Sequence, residues 1–143
     1  MMRQAAAHDA ERLAQLAQQL GYAVSAEDVR RYLVELGDGH AVWVALDAAA
    51  CVQAWMHLRL QRQLHQAPYV EIVALVVDQA ARSQGLGQAL LQQAQTWAHS
   101  VGAPELRLYS NLKRERAHRF YVRAGFAQEK QSAHFVRRAP HAA

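Results

Sequence analysis

The spacing of apolar residues predicts two helices at the start of the chain. Residues 8–20 carry four apolar side chains on one helical face: Leu13, Leu16, Ala17 and Leu20. A second stripe of the same period covers residues 29–36, and Ser25 followed by Asp28 resembles an N-cap box in front of it. Because a glycine directly follows each stripe, both helices are expected to end there.

Three strands are predicted next, and they form a meander. They cover residues 40–46, 52–60 and 69–77, joined by a turn at 47–50 and a polar loop at 61–68. The third is the most apolar segment of the chain, so we expect it to be central in its sheet.

The second half of the chain alternates between helix and strand. A helix follows Gly85, a strand covers residues 106–110 and a charged helix covers residues 113–124. Residues 126–138 are interpreted as two short strands or one bent hairpin. The order predicts a mixed α+β fold forming a single domain over residues 1–143. A right-handed crossover would make strands 69–77 and 106–110 parallel neighbours.

Composition narrows the class of ligand. The 143 residues are 52% hydrophobic and 20% charged, as in ordinary globular proteins, with a net charge of +4. A basic protein attracts polyanions or acidic small ligands. No run of five basic residues occurs and aromatic residues do not alternate with basic ones, so we expect an acidic small ligand and no nucleic acid.

Other features argue against membranes, disulfides and metals. The apolar runs are too short to span a bilayer, and residues 1–16 lack the apolar segment of a secretory signal. The single cysteine, Cys51, allows no internal disulfide, which is typical of a cytoplasmic protein. No His-x-x-x-His pair or His/Cys cluster predicts a metal site.

The most informative segment is the turn between the third strand and the following helix. An apolar strand ends at Asp78, and Gly85 and Gly87 then stand where the helix begins. The unpaired N–H groups of a helix start bind anions. Leu90 replaces the third glycine of a dinucleotide motif and no Gly-Lys-Ser/Thr follows, so neither NAD(P) nor a mononucleotide P-loop is predicted. A glycine turn without a ligand remains the alternative.

Two motifs resemble those of the GNAT N-acetyltransferase superfamily. The sequence from Arg82 to Gly87, RSQGLG, resembles motif A, and residues 110–126, with FYVRAGF at their end, resemble motif B. The chain start and CVQAWMHL also resemble this superfamily, so the resemblance covers nearly the whole chain. It implies a twisted, mostly antiparallel central sheet with a parallel pair at its centre, about four flanking helices, and acetyl-CoA as co-substrate.

The resemblance also implies which residues hold the coenzyme. The diphosphate is expected at the turn and the helix start: Arg82, Ser83, Gln84, Gly85, Leu86, Gly87 and Gln88. Pantetheine is expected along the backbone of the strand segment that comprises Leu75, Val76 and Val77, in a strand that carries a bulge in this superfamily. Asn111 matches a frequent coenzyme contact, or else simply caps the following helix.

Two residues are candidates for proton transfer. Glu71 is an acidic residue inside an apolar strand, and its register resembles that of the base in histone-type members. Whether it acts directly, through water or only in substrate binding is open, and it could instead pair with Arg59 or Arg107. Tyr121 matches the acid that protonates the coenzyme A thiolate, with a packing tyrosine as the alternative.

Together these observations predict an N-acetyltransferase. A primary amine of a small molecule or peptide attacks acetyl-CoA directly in a ternary complex, without a covalent enzyme intermediate. The alternative is a non-catalytic module that binds acyl-CoA. Tyr22 and the 61–68 loop are candidates for the acceptor pocket, and a homodimer is one expectation because dimers are common in the superfamily.

Overall fold

Five strands form one mixed sheet. The computed structural model describes residues 1–82, 84–110 and 113–140. In these residues the strands are β1 (Met2–Gln4), β2 (His40–Leu46), β3 (Val52–Gln63), β4 (Gln66–Val77) and β5 (Leu106–Leu108), and they lie side by side in that order. Neighbours are antiparallel except β4 and β5, which are parallel. The predicted parallel pairing is confirmed, but β5 is the last strand in this order, so the pair lies at one end of the described sheet and not at its centre.

The described residues also form four α-helices. They are α1 (Ala10–Gln19), α2 (Ala26–Glu35), α3 (Leu86–Ser100) and α4 (Glu115–Arg123), with 3-10 turns at Ala7–Asp9 and Gln79–Ala81. The predicted N-cap box is present at α2. The Ser25 hydroxyl accepts the Asp28 N–H at 3.0 Å, and the Asp28 carboxylate accepts the Ser25 N–H at 3.2 Å. These bonds satisfy backbone donors that would otherwise be unpaired.

The sheet is covered by helices on its two faces. On one face, Leu13 and Leu16 of α1 form a core cluster with Val44 and Val76, and Trp55 packs against it. Met56 and Leu58, two residues apart on β3, point to the opposite face and are fully buried. Helix α3 packs against β3 and β4. The strand pattern therefore fixes which helix covers which face.

The chain divides into two compact units, Met1–Tyr109 and Ser110–Ala143. The first contains the sheet and helices α1 to α3, and the second contains α4. Gly125 ends α4 with a φ of 100°, a conformation that favours glycine, and the Phe126 N–H donates to the Tyr121 carbonyl. The predicted helix stop is confirmed.

The polar loop predicted over residues 61–68 is wrong. β3 continues to Gln63 and β4 begins at Gln66, so the segment is mostly a hairpin. Its polarity reflects exposure to solvent, which does not prevent backbone pairing. Pro68 is accommodated because the register shifts between Gln61 and Gln63, and at such an irregularity a missing N–H removes no ladder bond.

Two other differences concern the ends of the chain. β1 was not predicted, because three residues carry too little pattern to indicate a strand. Strands predicted over residues 126–138 are also wrong: this segment has no regular secondary structure and is exposed from Ala127 onwards. It holds few apolar residues to bury, and no strand of the described residues pairs with it to satisfy its backbone.

Candidate active site

The turn that follows β4 is attached to α1 by hydrogen bonds. The Asp78 carboxylate accepts bonds from Arg12 at 2.6 Å, from Gln19 at 3.2 Å and from the Ala80 N–H at 3.1 Å. Gln19 also accepts the Gln79 N–H at 2.9 Å. The donors Ala80, Gln19 and Arg12 together lower the pKa of Asp78 below its usual value. The path of the chain towards α3 is therefore fixed by α1.

The start of α3 presents unpaired backbone donors. Gly85 is the N-cap residue with a φ of 78°, and it offers no side chain to cap the helix. The Ala89 N–H bonds to the Gly85 carbonyl at 3.0 Å, which leaves the preceding helical N–H groups, those of Leu86, Gly87 and Gln88, without an acceptor inside the helix. These donors and the helix dipole favour an anion.

The structure describes only some of the other residues predicted to hold the coenzyme. Arg82 has an extended conformation and an exposed side chain, and Gln84 is exposed as well. Ser83 lies outside the described residues, as does Asn111. A β-carbon at Gly85 would meet no atom within 4 Å, so space beside the helix start is open.

One edge of β4 is left open where a coenzyme is expected. β5 pairs only with residues 70–72 of β4. Val73 then forms a bulge, because the register on β3 passes from Ile72 directly to Ala74. No other strand of the described residues pairs with β4 beyond that point on the β5 side. The bulge expected in this strand is present.

The orientation of the backbone beyond the bulge follows from one hydrogen bond. The Asp78 N–H donates to the Gln53 carbonyl of the β3 side at 2.8 Å. Because bonding direction alternates along a strand, Leu75 and Val77 turn their N–H and C=O groups to the open edge. Val76 turns its own groups to β3, so two of the three residues predicted to pair with pantetheine offer free backbone groups.

Glu71 lies in a row of polar side chains across the sheet. Its Cα partner on β3 is Arg59 and its partner on β5 is Arg107. The half-buried carboxylate accepts a hydrogen bond from Gln61 at 2.8 Å and forms no ion pair with either arginine within the described residues. Arg107 instead pairs with Glu105 at 2.9 Å. The alternative of an arginine-paired Glu71 is not observed.

A histidine pair on the same face was not predicted from the sequence. The Nδ1 atom of His40 lies 2.9 Å from the Nε2 atom of His57, which joins β2 to β3. Burial, His40 and Arg59 lower the pKa of His57 to about 4, and burial with Arg59 lowers that of His40. The alternation of side chains along β3 predicts that His57 and Arg59 share one face. The pairing register between β2 and β3, which the sequence does not reveal, brings His40 beside them.

In the second unit, Tyr121 belongs to an aromatic cluster on α4. Its ring centroid lies 5.4 Å from that of Phe120 and 6.0 Å from that of Phe126, both edge-on. Burial raises the pKa of the Tyr121 phenol above its ordinary value of 10, with a smaller opposing effect of Arg114. The hydroxyl is therefore protonated near neutral pH.

The described residues contain neither a candidate metal cluster nor a helix that could span a membrane. No group of three or more His, Cys, Asp and Glu side chains in residues 1–82, 84–110 and 113–140 could hold a metal ion. No helix in the same part of the chain is long and apolar enough to cross a membrane.

Solved structures share this fold. Aminoglycoside 6'-N-acetyltransferase from Acinetobacter haemolyticus matches with a TM-score of 0.84 and 16% identity, over 98% of this chain and 99% of that one. An aminoglycoside N-acetyltransferase solved in complex with CoA matches with a TM-score of 0.81 and 17% identity, over 97% and 100%. At such identities the similarity defines the fold, which is that of acetyltransferases.

The sequence itself identifies the family. The model of the acetyltransferase (GNAT) family matches residues 7–126, and the chain belongs to that family. It is also 41% identical over 78 residues to aminoalkylphosphonate N-acetyltransferase from Salmonella typhimurium, covering 54% of this chain and 51% of the relative. The chain spans about half the length of the curated relatives it matches. The superfamily inferred from the two motifs is confirmed.

Proposed function

We propose that this chain is an acetyl-CoA-dependent N-acetyltransferase that acetylates a primary amine of a small molecule or peptide. The proposal rests on two neighbouring features of one continuous segment of the chain. The open edge of β4 after Val73 leads through the Asp78 turn to the uncapped start of α3. A long coenzyme needs such a pair of features, because its diphosphate and its acyl arm are held at separate places.

The diphosphate would bind at the N-terminus of α3. The amides of residues 84–88 are the proposed donors, and Gly85 adds no side chain that would block phosphate oxygens. Arg82 would add positive charge from the turn. By family resemblance we extend the coenzyme site to Ser83 and Asn111. The backbone groups of Leu75 and Val77 would pair with pantetheine.

Glu71 is the proposed acceptor of the amine proton. An alkylamine with a pKa of about 10 is almost entirely protonated at pH 7, so a carboxylate that removes the proton raises the fraction able to attack. Gln61 holds the carboxylate at 2.8 Å, which supports a fixed orientation. The proton could pass directly or through one water molecule.

The remaining steps balance as an acyl transfer. The amine nitrogen forms a bond to the thioester carbon, and the carbon–sulfur bond breaks after a tetrahedral intermediate. We propose that the free backbone at the Val73 bulge donates a hydrogen bond to the developing oxyanion. Tyr121, whose pKa is raised by burial, would give its proton to the departing thiolate. Direct attack requires no covalent enzyme intermediate.

The experiment that tests this proposal is a screen for thiol release. Purified protein is mixed with acetyl-CoA and, one at a time, amino acids, polyamines, aminoglycosides, aminoalkylphosphonates and peptides with free N-termini. We expect release of coenzyme A and an N-acetyl product with at least one class. Thermal stabilisation by acetyl-CoA without product from any amine would instead indicate the non-catalytic acyl-CoA-binding module. The absence of both stabilisation and product would contradict the enzyme and the binding module alike.

The location and the assembly of the protein are two further proposals. We propose a cytoplasmic protein, since the single cysteine, Cys51, is an exposed free thiol that a reducing compartment would preserve. A homodimer stays a prediction from the family, and size-exclusion chromatography with light scattering tests it.

A further inference from the structure

We propose that the acceptor amine also carries an anionic group, a carboxylate or a phosphonate, and that Arg59 binds this group while Glu71 receives the ammonium. The inference rests on the proposed function and adds to it the chemical class of the acceptor. It arises from two opposite charges that are neighbours in the sheet and yet do not neutralise each other.

The two charged residues face the same side of the sheet. Arg59 on β3 and Glu71 on β4 are direct Cα partners in the antiparallel register. Side chains at such positions point to one face, with β-carbons about 5 Å apart. An ion pair would therefore be expected. The carboxylate instead accepts the neutral amide of Gln61 at 2.8 Å, and the described residues contain no ion pair between the two charges.

Arg59 differs in this respect from the arginine on the other side of Glu71. Arg107 is already engaged, since it pairs with Glu105 at 2.9 Å and lies 4.0 Å above the ring of Tyr69. The guanidinium of Arg59 has no hydrogen bond or ion pair within residues 1–82, 84–110 and 113–140, and its side chain is exposed. It is the cation of this row that is available to a ligand.

Arg59 also borders a cavity large enough for a small ligand. The cavity has a volume of about 460 Å³, and its charged and titratable lining residues are Asp38, His40, Arg59 and Arg62. Gln61, which bonds Glu71, lines it as well. Glu71 is not one of the lining residues, so a ligand bound to Arg59 would extend its ammonium group past Gln61 to meet the Glu71 carboxylate.

The charged side chains that line the cavity carry a net positive charge, and Glu71, which does not line it, is the acid beside Arg59 on β4. The pKa values of His40 and His57 are lowered, partly by Arg59 itself, so both imidazoles are neutral at pH 7. Asp38 supplies one negative charge to the cavity lining, and Arg62 supplies a second positive charge. The lining therefore favours an anion over a second cation.

These contacts fit a zwitterionic acceptor. The planar guanidinium presents paired N–H donors that match a carboxylate or phosphonate. The ammonium would lie against Glu71, lose its proton to that carboxylate and attack the thioester as in the proposed function. An amine without the anionic group lacks the charge-assisted bond to Arg59, so we expect its kcat/KM to be lower by about 10- to 100-fold.

The experiment compares matched amines in one assay of thiol release. β-Alanine provides the carboxylate and 2-aminoethylphosphonate the phosphonate, while β-alaninamide and propylamine provide the ammonium without an anion. We expect both zwitterions to exceed the two amines that lack an anion in kcat/KM, and the ratio between the two zwitterions identifies the preferred anion. Equal kcat/KM values for the zwitterions and for the amines without an anion would overturn the inference while leaving the proposed function intact.

Substitution of Arg59 gives an independent test. R59Q should lower kcat/KM for the preferred zwitterion by about 10- to 100-fold more than for β-alaninamide, whereas R59K should restore part of the loss. R30Q, on exposed α2, is the control. An equal loss for both amines in a folded R59Q would contradict the inference. No product from any amine would contradict the proposed function itself, and the inference with it.

Discussion

The guanidinium of Arg12 on α1 lies 2.6 Å from the carboxylate of Asp78, where β4 leaves the sheet for the turn towards α3. Residues 66 positions apart in the sequence are thus joined next to the proposed diphosphate site. The bond is charge-assisted and partly shielded, with side-chain exposures of 32% and 13%. It couples the position of the glycine turn to a helix on one face of the sheet.

The first prediction tests this coupling. R12M should lower the free energy of unfolding by about 1–2 kcal/mol, because a shielded charge-assisted bond is lost, and should weaken acetyl-CoA binding severalfold. The pKa of Asp78 is lowered in the folded protein, so its contribution to stability is present above a pH of about 4 and lost as pH falls below it. Urea unfolding at pH 7 and pH 3 measures the two effects on stability, and isothermal titration calorimetry measures the affinity for acetyl-CoA.

The control for this substitution is R31M. Arg31 pairs with Asp28 at 3.2 Å on the exposed surface of α2, with side-chain exposures of 55% and 36%. Exposed pairs contribute about 0–1 kcal/mol, so this variant should bind acetyl-CoA as the wild type does. If R12M binds acetyl-CoA with unchanged affinity, the turn does not depend on α1 for its position.

The second prediction concerns the helix start. G85E should weaken acetyl-CoA binding by at least about 100-fold, because a carboxylate next to the α3 amides repels the diphosphate and occupies its place. G102E is matched to it: Gly102 follows the other end of α3, with a φ of 74° against 78°, and both positions are open. Each substitution costs about 1–2 kcal/mol of backbone strain.

The two variants therefore separate strain from binding. Differential scanning fluorimetry with and without acetyl-CoA should give similar melting temperatures for both apo proteins, with stabilisation by acetyl-CoA in G102E alone. If acetyl-CoA stabilises G85E as much as G102E, the diphosphate binds elsewhere.

The third prediction concerns Glu71. E71Q keeps the shape of the side chain and should reduce kcat/KM by about 10²- to 10⁴-fold, because general-base assistance is lost. Only the free amine reacts in the E71Q variant, so its rate should rise tenfold per pH unit up to the amine pKa. The basic limb of its rate–pH profile should therefore differ from that of the wild type. E35Q, at an exposed position of α2, is the control. A pH profile that matches the wild type would assign the proton transfer to another group.

The fourth prediction concerns Tyr121. Y121F should lower kcat by about 10²-fold, because the thiolate loses its proton donor, while the Kd for acetyl-CoA changes less than twofold. Y32F, at a tyrosine 48% exposed on α2, should have wild-type kcat. Pre-steady-state and steady-state thiol release measure the effect. A kcat for Y121F equal to that of the wild type would leave Tyr121 with a packing role against Phe120 and Phe126.

Much of this fold could be predicted because its signals are local. The glycine after α4, the Ser25–Asp28 box and the apolar run of β4 each depend on a few neighbouring residues, and each is where the sequence indicates. The bulge at Val73 was expected only from the family, because nothing in the alternation of β4 indicates an extra residue.

The polar row across the sheet depends on the register and was predicted only in part. Glu71 was a candidate because an acid stands out in an apolar strand. Its partner Gln61 is on a different strand, in a segment predicted to be a loop. The contact between His40 and His57 likewise depends on how β2 aligns with β3, which no single segment encodes.

The fifth prediction uses that histidine pair. The pKa of His57 is lowered to about 4 from its ordinary 6.5, so between these values the unfolded chain binds a proton that the folded protein does not. Stability should therefore rise with pH from about 4 to about 6.5, level off above, and fall as pH drops through this window. His40, with its pKa also lowered, acts in the same direction.

Replacement of His57 isolates this contribution. H57N should flatten the dependence of the free energy of unfolding on pH in that window, because the residue that resists protonation is gone. H65Q, at an exposed position in the turn between β3 and β4, should leave the slope unchanged. Urea denaturation at half-unit intervals from pH 4 to pH 7.5 gives the slopes. An unchanged slope in H57N would mean that His57 protonates in the folded state as readily as in the unfolded chain, and that the pair opens when it does.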